Sequence, residues 1–219
     1  MNEPFEYPKH FKLPEGERNF FADNIAPWNQ LVSNLIENKN PNDPRVAIEI
    51  GSLYGGCSVW MLETFISRPQ DFLHCVDINE SEYLKNNLLP YKNVKLHLGL
   101  SGNVLTELWH THQKPTADLV YVDGSHIAKH VIEDAVLSWK LLKTGGVLVF
   151  DDYGWGSNGT IDDQPKTGID AFLHGYQGHY ELLGKGWQVY LQKIKYEIKD
   201  CQLGGNYAIN NTFFNRENL

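Results

Sequence analysis

The sequence has few of the features that mark secreted, membrane-spanning or disulfide-rich proteins. It has 3 cysteines in 219 residues, and an odd, small number predicts reduced thiols rather than a disulfide framework. No apolar run approaches 18 residues, and the opening MNEPFEYPKH lacks the basic and apolar regions of a signal peptide. We therefore expect a cytoplasmic protein without a membrane partner. The three cysteines are Cys57, Cys75 and Cys201.

Positive charge is also scarce. The chain has 19 lysines and arginines against 27 acidic residues, a net charge of -8, and its basic residues form no run or stripe. This balance argues against a protein that binds nucleic acid through its phosphates. With 42% hydrophobic residues, the chain is long enough for one α/β domain with a full core and too short for two ordinary domains.

Short apolar runs alternate with helical patterns along most of the chain. We predict an N-terminal arm and helix over residues 1–44, one domain over 45–195 and a polar tail over 196–219. The alternation predicts an α/β fold: a Rossmann-like, seven-stranded, mostly parallel sheet with a C-terminal antiparallel hairpin and helices on both faces. The predicted helices are 22–36, 58–65, 80–89, 101–109, 127–142 (ended by Gly145 and Gly146) and 169–176. The predicted strands are 46–50, 72–78, 94–100, 119–122 and 147–150, with a hairpin of 180–183 and 187–194.

The first strand leads into the glycine-rich loop of VAIEIGSLYGGCS, residues 46–58. A strand, a glycine turn and a helix in succession build cofactor pockets at the carboxyl edge of α/β sheets. Leu53 stands where the dinucleotide pattern G-x-G-x-x-G needs its second glycine, so the loop is predicted to surround a ligand that need not carry a phosphate. A plain tight turn is the alternative.

Asp77 closes the second predicted strand, 26 residues after Gly51. In this architecture an acid at that place hydrogen-bonds the two hydroxyls of a ribose. The alternative is a helix cap. The loop and the acid together favour a nucleoside pocket.

A second group of polar residues follows two other strands. Asp123 and His126 come after the fourth predicted strand, and Asp151 and Asp152 come after the fifth. Three carboxylates that converge repel one another unless a cation lies among them, and hard oxygen ligands favour magnesium, calcium or manganese. We therefore predict a divalent metal, which would bind a substrate hydroxyl and lower its pKa.

His126 precedes the longest predicted helix and can face the same pocket. An imidazole titrates near neutral pH, which suits a general base that removes the hydroxyl proton. Two alternatives stay open: a metal ligand together with His130, and a histidine that only caps the helix.

In order along the chain, EIGSLYGG, VDIN, LGLSGNVL, YVDGSH and VLVFDDYGW resemble the motifs of class I S-adenosylmethionine-dependent methyltransferases. The similarity extends over about residues 45–194. It is greatest to the metal-dependent O-methyltransferases, both the catechol and caffeoyl-CoA type and the macrolide-sugar type.

The resemblance implies a role for each site residue. Asp77 would bind the ribose, Ser101 would lie at the adenine, and His126 falls where the catechol type has a catalytic lysine. The metal would be held by Asp123, Asp151 and Asp152, and Asp123 also borders the cofactor. The methionine end of the cofactor would be bordered by Glu49, Gly51, Ser52, Gly55, Cys57 and Ser58.

The implied reaction is an in-line transfer of a methyl group from S-adenosylmethionine to a hydroxyl of a small molecule or a sugar, assisted by Mg²⁺. Tyr153 and Trp155, in the loop after the acids, are candidates to stack on the acceptor. Two rival functions are a nucleoside-binding protein without catalysis and a metal-dependent hydrolase on the same fold. A homodimer is compatible with the N-terminal helix and the polar tail.

Overall fold

A computed structural model describes residues 5–156 and 159–194. The predicted polar tail and Cys201 lie outside these residues. The described chain forms a 7-stranded sheet in the order β3-β2-β1-β4-β5-β7-β6, which confirms the predicted fold. The strands are β1 (Val46–Ile50), β2 (Phe72–Asp77), β3 (Val94–Leu98), β4 (Ala117–Val122), β5 (Leu142–Phe150), β6 (Tyr180–Lys185) and β7 (Val189–Lys193).

Strands β1 to β5 pair in parallel, whereas β7 is antiparallel to both β5 and β6. Every residue of β4 is buried, as expected for a central strand that is covered on both faces. The parallel strands therefore bring their carboxyl ends to one edge of the sheet.

In the residues that the structure describes, six α-helices cover the two faces of the sheet. They are α1 (Ile25–Glu37), α2 (Gly56–Thr64), α3 (Glu82–Leu88), α4 (Ser101–His112), α5 (Ala128–Leu141) and α6 (Pro165–Gly175). Apolar residues of α1, α2 and α3 form one buried cluster with the sheet, and those of α4, α5 and α6 form another on the opposite face. Among the described residues, no helix is both long and apolar enough to cross a membrane.

Most predicted boundaries lie within three residues of the observed ones, but two are wrong by four or five residues. Strand β5 begins at Leu142, directly after α5, and not at Val147, so Gly145 and Gly146 lie inside the strand and do not end the helix. Leu142 pairs with Ala117 of β4, and this tertiary pairing overrides the local glycine signal. Helix α6 begins at Pro165 rather than Ile169, with the proline in its first turn.

The N-terminal segment is tied to the rest of the fold. Trp28 of α1 is completely buried in the same cluster as α2. The Tyr7 hydroxyl donates to the Gly56 carbonyl at 3.0 Å, and the Asn87 side chain exchanges two hydrogen bonds with the backbone of Lys12. The proposed division at residue 44 stays a prediction, but the arm and α1 share a core with the sheet.

Candidate active site

The ends of β1, β4 and β5 lie side by side at the carboxyl edge of the sheet. The Asp123 backbone N–H donates to the Ile50 carbonyl at 2.9 Å, and the Asp151 N–H donates to the Val122 carbonyl at 3.0 Å. Because these bonds continue the parallel ladders past the strand ends, the structure brings the glycine loop and the predicted acids together.

Gly51 allows the loop to pass close to the end of β4. Its φ is +89°, a conformation that favours glycine, and a Cβ there would lie 2.6 Å from the Asp123 carbonyl carbon and 2.8 Å from the Gly124 Cα. Gly55, also left-handed at φ +83°, is the N-cap of α2. Leu53, between them, has φ 48°, so three residues of this turn have a positive φ.

Glu49 is almost fully buried, with 1% of its surface exposed. Its Oε2 accepts hydrogen bonds from Ser52, at 2.9 Å, and from Ser58. Burial raises the pKa of Glu49, and the two hydroxyls and the thiols of Cys57 and Cys75 oppose that rise. Glu49 therefore joins the glycine loop to α2 from the buried side. The two cysteines in the described residues are free and buried.

Asp77 is positioned by backbone donors. Its Oδ2 accepts from the N–H of Leu53 at 2.9 Å, and its Oδ1 accepts from the N–H of Asn79 at 2.8 Å. The carboxylate thus fixes the glycine loop to the end of β2. Each oxygen accepts one bond here, and a carboxylate oxygen has a second lone pair for a ligand.

Ser101 begins α4 at the end of the loop after β3. Its hydroxyl hydrogen-bonds the buried carboxyl of Asp134 on α5, and burial raises the pKa of Asp134 to about 6. Asp134 was not predicted, because a single acid in a helical pattern carries no signal of its burial.

Asp123 and Asp151 form the acidic part of the site. Burial raises the pKa of Asp123, and the neighbouring charges of Asp151 and Asp152 raise it further. Burial also raises the pKa of Asp151, which hydrogen bonds from Tyr121 and Gln188 partly counteract. The predicted convergence of these acids is therefore observed, with mutual repulsion among them.

His126 pairs with Asp152 rather than capping a helix. Its Nε2 lies 2.8 Å from the Asp152 Oδ2, and Ile127 occupies the N-cap of α5. The hydrogen bond that His126 donates to the Asp152 carboxylate raises the pKa of His126. Asp152 has φ 57°, an uncommon left-handed conformation for a residue with a side chain. His130 lies apart from this pair, with its Nδ1 3.0 Å from the Ser125 hydroxyl.

The two predicted stacking residues have partners within the protein. The Trp155 ring lies 4.6 Å from the His126 ring, at 35° to it, and 47% of Trp155 is exposed. The Tyr153 hydroxyl donates to Asp170 at 2.8 Å, and the ammonium groups of Lys166 and Lys185 lie near its ring. Trp155 therefore covers His126, while Tyr153 packs against charged side chains.

The arrangement of these side chains decides whether they can hold a metal ion. Within the described part of the chain, no three side chains of His, Cys, Asp or Glu are arranged to hold a metal ion. Asp152 is paired with His126, and both Asp151 oxygens accept hydrogen bonds. The donor type suits a hard cation, but these side chains are engaged with one another.

Comparison with known proteins identifies the class. Residues 48–153 match a family described as "Methyltransferase domain", and this segment contains the glycine loop and all the predicted acids. Residues 48–153 are thus a methyltransferase domain, and the protein is an enzyme that uses S-adenosylmethionine. The sequence has no match among the curated proteins compared with it.

Solved structures share the fold at low identity. The O-methyltransferase TomG from Streptomyces achromogenes, in complex with S-adenosylmethionine, is 21% identical over 78% of this chain and 81% of its own, with a TM-score of 0.58. A putative O-methyltransferase from Klebsiella pneumoniae is 15% identical over 84% of each chain, with a TM-score of 0.62. The mycinamycin-pathway methyltransferase MycE, solved with Mg, is 20% identical over 80% of this chain, with a TM-score of 0.57, and this chain covers only 50% of MycE.

Proposed function

We propose that the protein transfers a methyl group from S-adenosylmethionine to a hydroxyl oxygen of a small molecule or a sugar. The observation that carries the proposal is the His126–Asp152 pair, 2.8 Å apart, in the loops that follow β4 and β5. A histidine oriented by a carboxylate is a base suited to a hydroxyl. TomG and the Klebsiella protein, both described as O-methyltransferases, support an oxygen acceptor.

The methyl donor would bind along the glycine loop. Asp77 would accept hydrogen bonds from the ribose hydroxyls through the oxygen lone pairs that are not used by the N–H groups of Leu53 and Asn79. Ser101 would lie at the adenine. The methionine end would contact the loop at Gly51, Ser52, Gly55, Cys57, Ser58 and Asp123, with Glu49 supporting the loop from the core.

His126 would act as the general base. Its Nε2 is held by Asp152, which leaves Nδ1 to accept the proton of the hydroxyl as the oxygen attacks the methyl carbon. The proton passes from the acceptor oxygen to His126, and the methyl group passes from the sulfonium sulfur to that oxygen. Holding the two reactants in line supplies much of the acceleration.

We further propose a divalent cation, such as Mg²⁺, at Asp123, Asp151 and Asp152. The support is chemical: burial and mutual repulsion raise the pKa of Asp123, and a cation would relieve both effects. When bound, a cation lowers the pKa of a coordinated hydroxyl and orients it. For Asp152 to bind the cation, its carboxylate must either contact His126 and the cation at once or give up the contact with His126.

The acceptor would approach over the loop that follows Asp152. Trp155 and Trp187 are 47% and 55% exposed there, and the Tyr153 N–H donates to the Trp187 carbonyl at 2.9 Å, which joins this loop to the turn between β6 and β7. Exposed indoles beside a base suit a ring or the face of a sugar. The cytoplasmic location and the homodimer stay predictions.

Calorimetry with S-adenosylmethionine, with and without MgCl₂, tests the methyl donor and the cation separately. We expect the donor to bind, and we expect mass spectrometry of reactions with a panel of phenols, catechols and sugars to detect a product heavier by one methylene group. Absence of donor binding would refute the proposal. Donor binding without transfer to any acceptor would favour the nucleoside-binding rival, and ester or phosphoester cleavage without the donor would favour a hydrolase.

A further inference from the structure

Gln188 is a buried polar residue directly beneath the acidic site. It lies in the turn between β6 and β7 and is 4% exposed, although its neighbour Trp187 is largely exposed. Because Val189 pairs with Phe150 in the antiparallel ladder, Gln188 comes next to Asp151. A buried amide must have hydrogen-bond partners for both its oxygen and its nitrogen.

The partners of Gln188 fix the orientation of its amide. Its Oε1 accepts from the indole Nε1 of Trp28 at 2.8 Å and from the Tyr190 hydroxyl. An indole N–H can only donate. The oxygen of the amide must therefore face Trp28, and the NH₂ group must face the opposite side.

That opposite side is the carboxylate of Asp151. Gln188 Nε2 donates to Asp151 Oδ2 at 2.8 Å and lies 3.2 Å from the Tyr121 oxygen. The Tyr121 hydroxyl donates to the same Asp151 oxygen. Both groups direct hydrogens at Oδ2, and the Asp152 N–H donates to Oδ1 at 2.7 Å. Both carboxylate oxygens of Asp151 thus accept hydrogen bonds.

We propose that Gln188 is a positioning residue that, with Tyr121, fixes the rotation of the Asp151 carboxylate. The role in catalysis rests on the proposed function, because Asp151 is there a cation ligand. The network joins α1, β4, β5 and β7 through one amide, so the N-terminal helix contributes to the geometry of the site. Polar groups that hold a ligand in this way commonly change metal affinity 10- to 100-fold when removed.

Gln188→Met tests the proposal because methionine fills a similar volume without donors. Gln192→Met is the matched control: Gln192 is on β7, and within the described part of the chain its amide donates to the Gly145 carbonyl, at 3.0 Å and away from the site. We would titrate each protein with Mn²⁺ alone, followed by electron paramagnetic resonance, and measure S-adenosylmethionine binding and the thermal midpoint in parallel. We expect Gln188→Met to weaken Mn²⁺ binding about tenfold, with methyl-donor affinity unchanged and Gln192→Met like wild type.

A second measurement needs no ligand. In the wild-type protein, the side-chain NH₂ protons of Gln188 should exchange slowly with solvent by NMR, and their resonances should shift in Asp151→Ala. Those of Gln192 should exchange quickly and stay in place. Gln188 protons that exchange as fast as those of Gln192, or that do not respond to Asp151→Ala, would overturn the proposal.

The two measurements separate this proposal from the proposed function. If wild type binds no Mn²⁺, the cation at Asp151 is wrong, and the NMR result alone decides whether Gln188 positions the carboxylate. If wild type binds Mn²⁺ and Gln188→Met binds it equally well, the positioning role is wrong while the cation stands. Tyr121→Phe, which removes the other side-chain donor to Oδ2, should weaken Mn²⁺ binding in the same direction.

Discussion

Replacing Gly51 with alanine should damage the site and the sheet together. Alanine at φ +89° pays the cost of the left-handed conformation, about 1–2 kcal/mol. The new Cβ would also lie within 2.8 Å of three backbone atoms of Asp123 and Gly124, so the end of β4 must move. The hydrogen bond from Asp123 N–H to the Ile50 carbonyl, 2.9 Å long, would lengthen or break, which costs about 1–3 kcal/mol more.

Gly145→Ala is the matched control. Gly145 has φ +82°, and a Cβ there would meet no atom within 4 Å. It lies in the first half of β5, away from the carboxyl edge. This variant should therefore lose about 1–2 kcal/mol of stability, from the left-handed backbone conformation alone. The site should not change.

The assays are thermal unfolding and calorimetry with S-adenosylmethionine. For a domain of this size, each kcal/mol shifts the thermal midpoint by about 2–4 °C, so Gly51→Ala should unfold about 2–12 °C below Gly145→Ala. Its affinity for the methyl donor should fall roughly tenfold or more, equivalent to at least about 1.4 kcal/mol, while Gly145→Ala binds normally. Equal midpoints and equal affinities would refute the reasoning from close backbone approach.

Three further predictions concern charged residues. His126→Ala should lower turnover about 100-fold or more if His126 is the base, measured with any acceptor found in the panel; an unchanged pH profile would exclude that role. Because Asp152 raises the pKa of His126 and the base must be neutral, Asp152→Asn should move the acidic limb of kcat/KM to lower pH; a limb that stays in place contradicts the pairing. Burial favours protonated Asp71, but Arg68 and the N–H of Arg45 outweigh it and lower its pKa. Stability should therefore be lost as pH falls through that lowered value, and Asp71→Asn should cost about 1–3 kcal/mol with a flatter acid dependence in urea titrations.

The sequence predicts most of the fold because alternating apolar runs leave few topologies for a parallel sheet. It fails at Leu142, where the start of β5 depends on pairing with Ala117 and not on any local pattern. The convergence of Asp123 and Asp151 was predictable, since neighbouring parallel strands end at one edge. The pairing of Asp152 with His126 was not predictable from the sequence. It occurs where the backbone of Asp152 is left-handed, and the sequence around Asp152 does not indicate that conformation.

Gln188 was missed for a related reason. One glutamine between Trp187 and Val189 has no periodicity, and its burial follows only from the register of β7 against β5. The same register explains why the consecutive acids Asp151 and Asp152 differ. Hydrogen bonds from Tyr121 and Gln188 hold the Asp151 carboxylate, whereas the Asp152 carboxylate lies against the ring of His126.

These two environments favour different roles for Asp151 and Asp152, although both residues follow the same strand. A carboxylate held by neutral donors keeps its orientation, which suits the binding of a cation or the alignment of a substrate. A carboxylate paired with imidazole instead changes the basicity and the tautomer of that ring, which suits proton transfer. Asp151→Asn should therefore alter Mn²⁺ affinity without moving the acidic limb of the pH profile, and Asp152→Asn should move that limb. If both variants changed the same measurement and no other, the two acids would share one role and this division would be wrong.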